Sequence, residues 1–158
     1  MMPPTSERVA AHTADEINRR IRREMEIRLS YLRDHPELID GRLDELDREW
    51  DIERVLEANA ATLAFTGVAL GAVSDRKWLV LPALVTAFLL QHAVEGWCPP
   101  LPVLRRMGFR TAEEIAEERY ALKALRGDLD LLHQAEDKLS AILRAVGLKK
   151  TGTPPAAP

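Results

Sequence analysis

Hydrophobic positions in this chain follow two patterns: solid apolar runs at the centre and spaced apolar stripes on either side. The runs, Ala58 to Val73 and Trp78 to Val94, are separated only by Ser74-Asp75-Arg76-Lys77. Neither run has a polar stripe wide enough to face water, and helices apolar all round belong inside a large core or a membrane. The pattern predicts a helical hairpin over residues 58–97. At about 1.5 Å per residue each run spans about 24–26 Å, short of the roughly 30 Å hydrocarbon core, although about 17 residues suffice to cross it.

Details of the runs favour lipid. Trp78 and Trp97 bracket the second run about 28 Å apart along a helix, the spacing of two membrane–water interfaces, and read as interface anchors. Gly67 and Gly71 form a small-xxx-small step that lets a partner backbone approach closely. Of the polar residues Asn59, Thr62, Thr66, Gln91 and His92, several lie near the run ends, where lipid penalises them least. Pro82 falls in the first turn or so of the second helix, where a missing amide costs little.

The flanks carry amphipathic patterns. Ile17, Ile21, Met25, Leu29 and Leu32 recur every three or four residues, predicting a helix from Ala14 to Arg33 that ends near Asp34-His35-Pro36. Its arginines suit either an anionic membrane surface or a solvated face opposite a packed one. Ile39, Leu43, Leu46 and Trp50 continue the pattern. No Gly or Pro interrupts residues 42–58, so the second helix is expected to run straight into the hairpin as a rigid stalk. The acids from Asp44 to Glu57 read as a solvated face, because the Glu-x-x-His pairs of carboxylate metal bundles are absent.

Beyond the hairpin, Gly96 is a helix terminator and Pro99, Pro100 and Pro102 are expected to block an immediate restart. Thr111-Ala112-Glu113-Glu114 is a capping box. The stripe Ile115, Leu122, Leu125, Leu129, Leu132, Glu136, Leu139, Leu143, Val146 follows, alternating steps of four and three after an opening gap of seven. It suits a coiled coil between copies or packing on the first arm. Gly127-Asp128 either stops a helix here or lies within a gently hinged one.

Composition excludes several functions. The 158 residues carry a net charge of -3, and neither flank has the basic footprint of a nucleic-acid binder. No catalytic dyad, nucleotide-binding glycine loop or zinc-type cysteine spacing is present, so no catalytic residue, metal, cofactor or small-molecule substrate is assigned. The amino terminus lacks a secretory pattern, which leaves the hairpin as the expected insertion signal. Arg42, Arg48, Arg54, Arg105, Arg106 and Arg110 flank the hairpin, against Arg76 and Lys77 in its turn. With the difficulty of exporting two long charged arms, that places both termini in the cytoplasm.

The single cysteine, Cys98, is the thiol candidate. It lies just outside the second run, with Arg105 and Arg106 near enough in sequence to favour thiolate. As a functional thiol it would carry a persulfide, bind a soft metal or be lipidated. As a structural residue it is a small apolar filler at a helix end. His92, Glu95 and Cys98 follow at intervals of three, but a fourth metal ligand is missing from the local pattern.

Gly96-Trp97-Cys98-Pro99 directly after a short apolar hairpin resembles the YgaP-like transmembrane domain family over roughly residues 50–110. That family is a bacterial inner-membrane hairpin ending in Gly-x-Cys-Pro, sometimes fused to a rhodanese sulfurtransferase domain. The resemblance implies a multi-pass location in the bacterial inner membrane. The chain lacks the strand–helix alternation and second cysteine of the rhodanese fusion.

The resulting expectation is an all-α protein: a two-helix transmembrane hairpin flanked by amphipathic, partly coiled-coil-like cytoplasmic helices. Residues 1–13 are expected to be disordered, 14–57 an amphipathic arm, 58–97 the hairpin, 98–147 the turn and C-terminal arm, and 148–158 a disordered tail. Its expected partners are the lipid bilayer and, through the amphipathic helices, a second copy or another membrane protein. The expected role is a non-catalytic scaffold or recruiting module, with a thiol-handling accessory and a soluble bundle with a buried hairpin as alternatives.

Overall fold

The computed structural model describes residues 4, 7–130 and 138–146. Every regular element among them is helical: α1 (Arg8–Ala11), α2 (Asp15–Asp34), α3 (Ile39–Arg48), α4 (Ile52–Val73), α5 (Val80–Glu95), α6 (Leu101–Met107), α7 (Ala112–Leu125) and α8 (Lys138–Ala145). Short 3-10 turns at Pro36–Leu38 and Arg76–Leu79 lead into α3 and α5.

The central hairpin forms as its apolar runs predict. α4 and α5 pack along each other, and the Asp75 side chain caps the turn by accepting from the Lys77 amide at 2.9 Å. Gly67 and Gly71 serve this pairing. A Cβ on Gly67 would collide with Pro82 Cδ, and one on Gly71 would lie 2.6 Å from Leu79 Cδ2. The small-residue step is therefore consumed within the hairpin. α4 begins six residues before its apolar run, and its 22 residues cover about 33 Å.

The outer surface of the hairpin remains largely uncovered. The most apolar eighteen-residue windows in the two legs have mean hydropathies of 1.3 and 1.5, and only 17% and 6% of them are buried. By length and composition both legs, the second counted from Arg76 through its 3-10 turn to Glu95, are long and apolar enough to cross a membrane.

The arms pack on each other instead of wrapping the hairpin. Leu32 of α2, Ile39 and Leu46 of α3, and Ile115 and Leu122 of α7 form one buried cluster, with Leu29 and Leu43 against it. The stripe on α2 thus serves helix-on-helix packing. α2 ends at Asp34 with His35 as its C-cap, where the imidazole stacks on Tyr31 at 4.1 Å. A second cluster, of Val9, Ile52, Leu56, Cys98 and Leu101, seals the base of the hairpin, with Trp97, Leu104 and Phe109 packed on it.

Three expectations are corrected. First, residues 1–13 are not wholly disordered. α1 buries Val9 at the hairpin base, and Arg8 donates to the Ala93 carbonyl at 2.5 Å.

Second, there is no continuous stalk. The backbone is extended at Glu49 (ψ 132°) and Asp51 (ψ 164°). The break allows Asp51 to cap α4 through the Arg54 amide at 2.7 Å, while the Ile52 amide donates to the Arg110 carbonyl at 2.8 Å. Trp50 leaves the core stripe and lies against the Arg54 guanidinium at 4.2 Å.

Third, the prolines do not prevent a restart. α6 begins at Leu101 with Pro100 as N-cap, because proline is tolerated in a first helical turn. Of the two alternatives at Gly127-Asp128, the structure takes the stop. α7 stops at Leu125, and Gly127 takes a left-handed φ of 87°. The stripe positions Leu132 and Glu136, and the tail 148–158, lie outside the described residues.

Candidate functional site

Of the sequence-predicted residues, Gly96, Trp97, Cys98 and Pro99 gather at the base of the hairpin, where α5 ends against the start of α4, whereas Gly67, Gly71 and Trp78 lie toward its tip. Gly96 terminates α5 with a φ of 77°, and its amide donates to the His92 carbonyl at 2.7 Å. A left-handed residue without a Cβ is needed twice over, because a Cβ here would also collide with Arg8. Cys98 follows, 4% exposed and walled by Val9, Ile52, Leu56 and Leu101.

Burial raises the Cys98 thiol above its ordinary pKa. The Leu101 amide opposes that rise, and the Glu53 carboxylate adds to it. This overturns the expectation that nearby arginines favour thiolate. Arg105 is fully buried but bound to other acceptors, and Arg106 is exposed. The thiol belongs to the apolar core of the base.

His92 is buried and pairs across the hairpin, its Nε2 lying 2.7 Å from Glu53 Oε2. Its Nδ1 has no partner among the described residues. Glu95 instead accepts from Gln91 at 3.1 Å on the exposed side. His92, Glu95 and Cys98 are therefore not brought together, and no metal-binding group occurs among the described residues. Pro99 lies in the turn before α6. The two tryptophans differ: Trp78 is exposed beside the tip, whereas Trp97 is half-buried against the core at the base.

The main feature missed from sequence is a pair of buried ionic clusters that join the arms. At the first, Glu118 of α7 is fully buried. Its carboxylate accepts from Arg28 at 3.2 and 3.1 Å, from Arg42 at 2.9 Å and from Arg110. Glu49 receives the other face of Arg110 in two 2.7 Å bonds, so it is not simply part of a solvated face. Burial alone would push the Glu118 carboxyl up, but hydrogen bonds from Arg42 and Arg28 and the charge of Arg110 outweigh it and bring the pKa to about 2.

In the second cluster, Arg105 forms a fork with Glu114 at 2.7 Å on both oxygens. It also donates to Thr13 Oγ1, Asn18 Oδ1 and the Phe109 carbonyl. Glu114 completes the expected capping box by accepting from the Thr111 amide at 2.8 Å. Burial opposes ionisation of Glu114, yet the Arg105 and Thr111 donors hold its pKa below the ordinary value. A buried guanidinium with all its neighbours placed fixes orientation as well as charge. These clusters lock α2, α3, α6 and α7 into one unit and tie in Thr13, just after α1.

No family model, curated protein or solved structure gives a significant match to the chain.

Proposed function

We propose that the protein is a non-catalytic membrane scaffold in which the hairpin anchors a rigid helical platform that self-associates or recruits a partner. One observation carries this reading: two helices long and apolar enough to cross a membrane are left uncovered while the arms satisfy their own core. In water, Phe65 (75%) and Val73 (82%) would belong to an exposed apolar surface of the kind that marks a membrane or partner site. A bilayer removes the cost of that exposure.

Packing of both flanks into one unit supports placing the two termini on the same side, and the flanking arginines favour the cytoplasm. The Gly96-Trp97-Cys98-Pro99 turn supports kinship with the YgaP-like hairpins and a bacterial inner-membrane location. A thiol-handling role has less support, since burial disfavours the Cys98 thiolate.

An alkaline carbonate wash tests insertion. Retention in the membrane pellet is expected, and release into the supernatant would reject the anchor. Sidedness is read in a Cys98→Ser background with Lys77→Cys at the tip or Glu113→Cys in the arm. An impermeant maleimide added to spheroplasts should label the former alone; preferential labelling of Glu113→Cys would reverse the orientation.

A further inference from the structure

At the base of the hairpin, α4 and α5 do not close on each other. They leave a cavity of about 250 Å³ walled by Leu56 to Leu63 on one helix, Val85 to His92 on the other, and the Cys98-Pro99-Pro100 turn below. Each wall is about two helical turns, roughly 10 Å, long. Near the tip the legs meet through Gly67 and Gly71, so the space is confined to the half nearer the arms. We infer that this cleft holds a segment of one acyl chain of a bilayer phospholipid, with the head-group end toward the arms. The inference rests on the membrane reading above.

The walls have the polarity of such an occupant. Ala60, Leu63, Phe88 and Leu89 present hydrocarbon along the trough. The polar Asn59 turns its amide back onto the Val55 carbonyl at 2.9 Å. At the arm end, His92 also lines the cleft, with its Nε2 turned to Glu53, so that the cleft surface stays almost wholly apolar. A trough with hydrocarbon walls that opens in the half of the hairpin nearer the arms matches a lipid lying along the hairpin, chain toward the tip.

Water is a poor occupant because an apolar cavity does not supply the two or more polar partners it needs. An empty cleft would forfeit dispersion contacts along both walls. The exposed apolar surface of both legs continues around the opening, and lipid chains bathe that surface in a bilayer. Cys98 contributes an apolar wall here and needs no reactivity.

The test uses the full chain in vesicles of phosphatidylethanolamine and phosphatidylglycerol carrying a diazirine on one acyl chain. After flotation and illumination, adducts are mapped by mass spectrometry. The expected result is several-fold enrichment at Ala60, Leu63, Phe88 and Leu89 over Phe65 and Val73, which are more exposed. Equal labelling of Phe65 and Val73 would overturn the inference, leaving only ordinary lipid contact. Cleft labelling from a diazirine fatty acid but not from phospholipid would also overturn it, as would a cleft-to-cleft crosslink between two copies in place of lipid adducts.

Ala60→Phe should remove the cleft adducts, whereas Val73→Phe should leave them unchanged. The wild-type map decides the question even if Ala60→Phe fails to insert. A wild-type chain that does not float with vesicles refutes the membrane reading and this inference together; one that floats without cleft enrichment refutes this inference alone.

Discussion

Arg110 and Glu118 stand eight residues apart, one in the turn before α7 and the other inside it, and form a buried ion pair where α2, α3 and α7 meet. The same carboxylate also holds Arg28 and Arg42. One glutamate thus ties together three arginines from three segments.

Glu118→Ala should be among the most destabilising single changes in the arms. It leaves three guanidinium groups facing a void, and breaking a buried pair from one side costs about 3–5 kcal/mol. Urea or thermal unfolding in a fixed micelle reads the loss. Glu113→Ala, exposed in the same helix, should shift stability by no more than about 0.5 kcal/mol.

Acid should unlock the arms late. Folding lowers the pKa of Glu118 to about 2, while an unfolded glutamate titrates near about 4.3. A depressed carboxyl contributes stability that is complete above the unfolded pKa and lost as pH falls through the folded one. Glu114 shifts in the same direction. Melting temperature measured against pH should therefore fall between about 4.3 and about 2, and the Glu118→Gln variant should show a weaker fall. A wild-type profile flat across that window would contradict the buried ionic cluster.

Two glycines should respond oppositely to a side chain. Gly67 lies against Pro82 and Leu81 of the opposite leg, so Gly67→Val should cost about 1–3 kcal/mol through overpacking. Gly41 sits exposed within α3 with nothing near its missing Cβ, and Gly41→Ala should gain about 0.5–1 kcal/mol from helix propensity. Thermal melts of the two variants under one condition check both signs.

Cys98 should react slowly in the folded protein. Its burial and raised pKa predict maleimide labelling at neutral pH well below that of the denatured chain, increasing as pH rises. Labelling at the denatured rate would contradict the buried placement and revive the thiol-handling role.

Much of this architecture was legible because it depends on local periodicity. The uncharged runs at 58–73 and 78–94 admit little besides a helical hairpin, and Thr111 with Glu114 writes its own cap. The clearest overlooked signal was the seven-residue gap between Ile115 and Leu122. Glu118 occupies the missing step of that stripe, where it faces the core and not water. Arg42 similarly lies three residues after Ile39 and four before Leu46, on the buried side of its helix.

By itself the sequence determined the helices, their apolar faces and the turn at residues 74–77, since each follows from side chains a few positions apart. Tertiary structure decided which charges were buried: Arg28 and Arg42 meet Glu118 across 90 and 76 residues. It also decided the break at Glu49–Asp51, where the Ile52 amide finds the Arg110 carbonyl, and the burial of Cys98 beneath Val9 and Leu101. A charge or thiol takes its chemistry from whatever faces it, and those neighbours are brought together only when distant segments pack.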